Sequence, residues 1–200
     1  MLKAGFAEKD ITPAEGMEMP GMFSKRFSGP VYDPLWVNGA VFEDDNGAVA
    51  VVGVDALSVK GSTVRKARAK IAEATGIAGG RVMVAASHTH NGGPTCEVFL
   101  SESDPAYCDL VAEAIAEVVI QAWKKRQEVV FKAGSGKAER VAFNRRFRMV
   151  GGTERTHPGR CNPDVIEPAG PVDPLVGALG VYAKDSGVLL GCLVNFACHC

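Results

Sequence analysis

The segment Ser87-His88-Thr89-His90-Asn91 contains two of the four histidines and directly follows the apolar run Val82–Ala86. Alternation along a strand places residues i and i+2 on one face, so His88 and His90 are predicted to direct both imidazoles to one point beyond the strand's end. Imidazole is a good ligand for Zn²⁺. The spacing predicts a metal site; the alternative is a structural pair of loop histidines, because short motifs also match by chance.

A third histidine also follows a strand-like segment. His199 comes after the apolar run Leu189–Phe196. Polar residues at the carboxyl ends of strands gather in one crevice of an α/β sheet, so His88, His90 and His199 are predicted to converge there. Asp55, after another apolar run, supports the same site, although a helix cap or a turn is an equally good role for an aspartate.

Composition limits the classes of protein that this chain can belong to. Its 200 residues are 46% hydrophobic and 22% charged, which is typical of one globular domain. The net charge of -1 gives no overall attraction to nucleic acid or to an anionic membrane. The sequence opens Met1-Leu2-Lys3-Ala4-Gly5 without the apolar stretch of a signal peptide, and it contains no run of the roughly 18 to 20 apolar residues that span a bilayer. We therefore expect a cytoplasmic protein with no transmembrane segment.

The six cysteines are irregularly spaced, and a domain of this size does not need disulfides. The sequence contains no Cys-x-x-Cys pair, which disfavours a thiol-disulfide role and a structural zinc site at Cys198-His199-Cys200. Chain termini usually lie in exposed segments, whereas this chain stops directly after a core strand pattern. We expect Cys200 to be a truncation point.

The elements that position these residues are predicted from periodicity. Two strands, Leu35 to Phe42 and Ala48 to Val54, form a hairpin at Asn46-Gly47. A helix capped by Ser62 runs to Thr75, and the strand Val82–Ala86 completes a βαβ unit. The predicted fold class is α/β, with a mixed β-sheet, flanking helices and a metal site at the carboxyl ends of the strands.

The second half of the chain is predicted to contain one long helix, two strands and a long polar loop. Asp104-Pro105 begins an amphipathic helix that ends near Arg126. Two strands, Glu128 to Ala133 and Lys137 to Phe143, are predicted around a turn at Gly134-Ser135-Gly136. A polar loop of about thirty residues follows from Asn144 onwards. Its arginines are either solvated or available to hold a substrate oxygen or carboxylate.

Taken together and in order, these motifs resemble the amino-terminal catalytic domain of neutral/alkaline non-lysosomal ceramidases. The matching features are Asp10-Ile11-Thr12-Pro13 with Gly16, the hairpin ending at Asp55, Ser87-His88-Thr89-His90 with Gly93-Pro94, Asn144-Arg145, Val172-Asp173-Pro174 and Asn195-Phe196-Ala197-Cys198-His199. They extend over nearly all of the chain. The resemblance implies a single ceramidase-like amino-terminal domain over residues 1–200, incomplete at its carboxyl end.

The same resemblance implies a zinc-dependent amidase that acts on N-acylsphingosine or a related N-acyl lipid. His88 and His199 match two zinc ligands of that family, and His90 and Arg145 match residues around the substrate amide. The remaining family ligands, a glutamate and a tyrosine, lie beyond Cys200. His90 is followed here by Asn91-Gly92-Gly93 instead of the more usual Ser-Gly-Pro.

Two other functions are compatible with these residues. One is a metal-dependent hydrolase of a different amide or ester. The other is a binding module, without catalysis, on the same fold. A panel of substrates distinguishes the other hydrolase from a ceramidase. A measurement of zinc binding distinguishes the binding module from either enzyme.

Overall fold

The computed structural model describes residues 1–199 of the chain. The larger elements are β1 (Lys3–Asp10), β2 (Trp36–Asp44), β3 (Gly47–Val54), α1 (Gly61–Thr75), β4 (Val82–Ala86), α2 (Pro105–Lys124), β5 (Gln127–Lys137), β6 (Arg146–Met149), β7 (Glu154–Thr156), β8 (Val165–Pro168), β9 (Leu175–Ala183) and β10 (Leu189–Phe196). Within these residues, one sheet has seven strands in the order β10-β9-β5-β1-β2-β3-β4, and a second has three, β7-β6-β8. This mixed α/β architecture confirms the predicted fold class.

The strands nearest the histidines form the predicted hairpin and βαβ unit. β2 and β3 pair antiparallel, and their register pairs Asp44 with Gly47, so the connecting loop is Asp45-Asn46. β3 and β4 pair parallel, with Val54 opposite Ala86. Because β3 and β4 are parallel, their carboxyl ends lie at the same edge of the sheet. Asp55, which follows β3, and Ser87, which follows β4, therefore lie at that edge.

The main core lies between the sheet and the two helices. The buried side of α2 includes Val111, Ile115, Val118 and Val119, all with no exposed surface. It packs on β1, β2 and α1. Each such side chain stabilises the fold by about 1.5–3 kcal/mol. A Cβ at Gly39 would lie 2.7 Å from Val118 Cγ2, so the glycine in β2 lets the helix approach the sheet closely.

The chain divides into two compact units. The first unit comprises Met1–Phe131 with Val181–Gly191, and the second comprises Lys132–Gly180 with Cys192–His199. A small second cluster in the first unit packs Ala4, Val129 and Val181 with the rings of Phe6 and Phe42. The single domain over residues 1–200 stays a prediction.

Several local predictions were wrong. The Gly-Ser-Gly segment makes no turn, because neither Gly134 nor Gly136 has the positive φ of a tight turn and both lie inside β5. The polar stretch after Asn144 contains β6, β7 and β8 and is followed by β9, which had no predicted counterpart. The N-cap of α1 is Lys60 and not Ser62, and it makes no side-chain capping hydrogen bond.

Other predictions are confirmed to the residue. Asp104 caps α2 through its Oδ1, which accepts hydrogen bonds from Ala106 N at 2.7 Å and Tyr107 N at 3.2 Å. Gly76 ends α1 with φ 76°. β4 and β10 have the bounds expected from their apolar runs. Neither helix in residues 1–199 combines the length and apolar character needed to cross a bilayer.

Candidate active site

His88 and His90 lie side by side in the loop that follows β4. Their ring centroids are 5.1 Å apart, with the ring planes at 87°. His88 has φ 61°, in the left-handed region that side chains with a Cβ rarely adopt. The two rings are therefore brought together by a turn and not by the strand alternation that was predicted. Ser87 N donates to Val54 O at 2.9 Å, which fixes the start of this turn on the sheet.

Each imidazole is held at its Nδ1 by a backbone carbonyl. Nδ1 of His88 lies 2.9 Å from Leu57 O, and Nδ1 of His90 lies 2.9 Å from Gly21 O. A carbonyl oxygen only accepts hydrogen bonds, so Nδ1 carries the hydrogen in both rings. In a neutral imidazole this tautomer puts the lone pair on Nε2, the atom that ligates a metal or takes up a proton.

This donor arrangement fits a zinc ion. Zinc prefers neutral imidazole nitrogen, and metal-bound histidines almost always donate their second ring N–H to a carboxylate or a backbone carbonyl. Leu57 O and Gly21 O are acceptors of that kind. His88 is exposed and His90 is half-buried, so one ring is open to solvent while the other is partly enclosed.

The chain after the histidines is packed tightly against α2. A Cβ at Gly93 would lie 2.3 Å from Cζ of Tyr107, so only glycine allows the loop to rest on this ring. The Tyr107 hydroxyl donates to Ile11 O. Burial raises the pKa of Tyr107, which keeps the hydroxyl protonated as a donor. The ring thus fixes the histidine loop to the end of β1.

Asp55 has a structural role at the same edge. Its Oδ2 accepts from Trp36 N at 3.0 Å, and its own N donates to Trp36 O at 2.9 Å. These bonds extend the pairing of β2 and β3 beyond Val54. Neither the turn nor the helix cap weighed for Asp55 describes these contacts, because its side chain and backbone hold the end of the β2–β3 pairing.

A cavity of about 460 Å³ borders the histidine loop. Thr89 and Asn91 line one wall, and Thr12, Tyr32 and Leu35 line others. All of these residues belong to the first unit. The cavity combines hydroxyl and amide groups with apolar and aromatic side chains, as small-molecule sites do.

The other two candidate residues belong to the second unit. Arg145 is exposed and lies directly before β6, where its carbonyl accepts from His157 N at 3.0 Å. Asn144 fixes the neighbouring backbone: its Oδ1 accepts from Arg146 N at 3.0 Å and its Nδ2 donates to Gly170 O at 3.1 Å. His199 is exposed and follows β10, as predicted. The roles of Arg145 and His199 stay predictions.

Sequence reasoning missed the groups that hold the histidines. Gly21 and Leu57 act through backbone carbonyls, which carry no sequence signal. Arg26 donates to His90 O and, at 3.3 Å, to Asn91 Oδ1 from a position 64 residues earlier in the chain. Arg26 lies in the long loop between β1 and β2, and a loop of such length suggests function but does not show which residue reaches the site.

The chain is similar in structure to solved ceramidases. The neutral ceramidase of Pseudomonas aeruginosa matches 96% of this chain with a TM-score of 0.74 and 21% sequence identity. The chain has the neutral ceramidase fold. A ceramidase complexed with C2 matches the same share of this chain with a TM-score of 0.72 and 21% identity. The resemblance found in the motifs is thus confirmed at the level of the fold.

The chain spans 31% and 30% of the lengths of these two ceramidase chains. No protein-family model and no curated protein sequence matches it. At 21% identity the likeness to ceramidases establishes the fold, and the activity has to be argued from the residues themselves.

Proposed function

We propose that this chain supplies part of the active site of a ceramidase-like, zinc-dependent amidase. The observation that carries the proposal is the pair His88 and His90, each held in the Nδ1–H tautomer by a backbone carbonyl, on a neutral ceramidase fold. Two imidazoles in this state, 5.1 Å apart, supply nitrogen ligands and proton acceptors at one place.

Two residues are proposed to hold the zinc ion and two to act on the substrate. His88 is assigned as a ligand by the family resemblance, and its Nδ1 contact to Leu57 O is the usual support of a zinc-bound histidine. His199 is assigned by its position after β10 and by the family resemblance. Zinc, when bound, supplies Lewis acidity to an amide carbonyl and to water.

His90 is proposed to move the proton of the reaction. Its Nδ1–H is engaged by Gly21 O, so a proton taken from water or given to the leaving amine passes through Nε2. The ring is half-buried and held at a fixed angle to His88, which preserves its orientation during such a transfer. A general base or acid placed in this way contributes typically about 10²–10⁴-fold to the rate.

Arg145 is proposed to bind the oxygen of the amide. The hydrogen bonds of Asn144 and the contact of His157 N to Arg145 O fix the backbone on both sides of this residue. Its exposed guanidinium presents several N–H donors, which suits a carbonyl oxygen that gains negative charge. One such donor is worth about 2.7–4 kcal/mol of transition-state stabilisation.

The proposed substrate is N-acylsphingosine or a related N-acyl lipid. This follows the ceramidase fold and the cavity of mixed polarity beside the histidine loop. The cytoplasmic location stays a prediction.

Amide hydrolysis tests the proposal directly. The zinc-loaded protein is incubated with ceramides and a panel of other N-acyl amides and esters, and release of the fatty acid is measured. We expect hydrolysis of an N-acyl lipid by the full-length native protein and none by His88→Ala. The control His157→Ala, which removes an imidazole but keeps the backbone N–H that donates to Arg145 O, should also hydrolyse it. Equal turnover by His88→Ala and His157→Ala would exclude the assigned chemistry, and hydrolysis of esters alone would exclude an amidase.

A further inference from the structure

The side chain of Arg26 donates hydrogen bonds to the histidine loop. Its Nη2 donates to His90 O, and its Nη1 donates to Asn91 Oδ1 at 3.3 Å. Among the described residues, no carboxylate lies within ion-pair distance of Arg26, and its buried Nε has no hydrogen-bond partner. A half-buried arginine without a carboxylate is unusual because burial of a charge is costly. The contacts to residues 90 and 91 are therefore its role in the described structure.

The loop that carries Arg26 also reaches the ring of His90. Residues 17–28 double back on themselves, since Met19 N donates to Arg26 O at 2.9 Å and Ser28 N donates to Met17 O at 2.8 Å. This short ladder places Gly21 against the imidazole, where Gly21 O holds Nδ1. Gly21 has φ 110°, and a Cβ there would lie 2.7 Å from His90 Nδ1.

One loop thus holds His90 at two points. The ring is held through Nδ1 by Gly21, and the main chain is held through the carbonyl by Arg26. Two contacts at opposite ends of a residue determine where its remaining functional atom, Nε2, is directed. The guanidinium suits this task because its planar fork reaches two acceptors at once and keeps its charge over the working pH range.

We propose that Arg26 is a positioning residue for His90, keeping the Nδ1–H tautomer and the direction of Nε2 by holding the peptide of residues 90–91 against the Gly21 carbonyl. The effect on catalysis rests on the proposed function. The effect on the tautomer does not, because it concerns contacts within the metal-free chain.

The tautomer is measured first, in the metal-free full chain at a constant neutral pH. Long-range ¹H–¹⁵N spectra distinguish the protonated and unprotonated ring nitrogens, and a His90→Ala spectrum assigns the signal. We expect His90 to be protonated at Nδ1 in the native protein and in Lys25→Met, the matched control one residue away. In Arg26→Met we expect a mixture of the two tautomers, with partial restoration in Arg26→Lys, which keeps the charge but not the fork.

Turnover is measured next on the zinc-loaded variants. A misplacement of about 1 Å reduces turnover by about 10²-fold, so we expect kcat of Arg26→Met to fall by about 10- to 100-fold while KM changes little. If Arg26→Met does not fold, Asn91→Ala is used in its place, with a smaller loss of kcat expected. This variant removes the acceptor of Nη1 and also changes the wall of the cavity beside the loop.

The outcomes separate this inference from the proposed function. A native tautomer in Arg26→Met or, if that variant does not fold, in Asn91→Ala overturns the positioning role, whatever the activity. If Arg26→Met shows a mixture of tautomers but the native protein hydrolyses no amide, the positioning role is supported and the proposed hydrolase function is excluded. An equal loss of kcat in Lys25→Met would show a general effect of the loop and would also overturn the assignment to Arg26.

Discussion

Replacing Gly93 by alanine tests whether the histidine loop is held by its contact with α2. The new Cβ would lie 2.3 Å from Cζ and 2.5 Å from Cε1 of Tyr107. The ring cannot move away easily, since Tyr107 is 4% exposed and its hydroxyl bonds Ile11 O. Gly93 does not have a positive φ, so alanine adds a steric conflict without backbone strain.

The expected loss of stability follows from these contacts. Overpacking a dense core costs about 1–3 kcal/mol. If the ring shifts and the hydroxyl loses Ile11 O, a further 0.5–1.5 kcal/mol or so is lost. We therefore expect Gly93→Ala to lower the free energy of unfolding by about 2–4 kcal/mol, which shifts the urea midpoint by roughly 1–2 M.

Urea unfolding followed by tryptophan fluorescence measures this change. The two tryptophans, Trp36 and Trp123, both belong to the first unit, as does Gly93. Gly53→Ala is the matched control, because nothing lies within 4 Å of its added Cβ and Gly53 also lacks a positive φ. A Gly93→Ala variant within about 0.5 kcal/mol of this control, the range of ordinary surface substitutions, would refute the reasoning.

Two other changes have defined outcomes. Tyr107→Phe leaves the buried Ile11 carbonyl without its donor and should cost about 1–3 kcal/mol in the same unfolding assay, whereas Tyr32→Phe, at a side chain 97% exposed, should cost nothing measurable. The hydrogen bond from Lys60 lowers the pKa of Glu97 from its ordinary 4.5 to about 2, so the stabilisation that Glu97 adds is complete above pH 4.5 and is lost as the pH falls towards 2. The stability difference between the native protein and Glu97→Gln should therefore narrow between pH 5 and pH 2.5, and a constant difference would contradict this assignment.

The parts of the fold that could be predicted are those with a strong local pattern. The β2–β3 hairpin, α2 with its Asp104 cap, and the βαβ unit through β4 all follow from short-range periodicity and capping chemistry. Each of these elements also buries an apolar face, so local preference and packing favour the same structure.

The wrong predictions arose where the local sequence pattern favours one structure and pairing between strands imposes another. Gly134 and Gly136 suggested a turn, but strand pairing accommodates them as extended backbone in β5. β6, β7 and β8 are only three or four residues long, β6 and β7 contain arginines, and ion pairs such as Arg148–Glu167 at 2.8 Å join neighbouring strands. Pairs between residues this far apart have no periodic signature in the sequence.

The candidate site could be predicted in its residues and not in its geometry. His88 and His90 were identified by spacing, yet the left-handed backbone at His88 and the carbonyls that hold each ring depend on the tertiary fold. Gly21 and Arg26, which support the site, come from a loop 64 to 69 residues earlier in sequence, and a pattern of short motifs contains no information on such contacts.

Zinc content is the most direct test of the central claim, that His88 and His199 bind zinc in a ceramidase-like amidase. The full-length protein and its His88→Ala, His199→Ala and control His157→Ala variants are each dialysed against a slight excess of zinc and then against buffer, and zinc per chain is measured by elemental analysis. We expect about one zinc per chain in the unsubstituted full-length protein and in His157→Ala, and a clear loss of zinc in both His88→Ala and His199→Ala. Zinc bound equally by all four proteins, or by none, would contradict it.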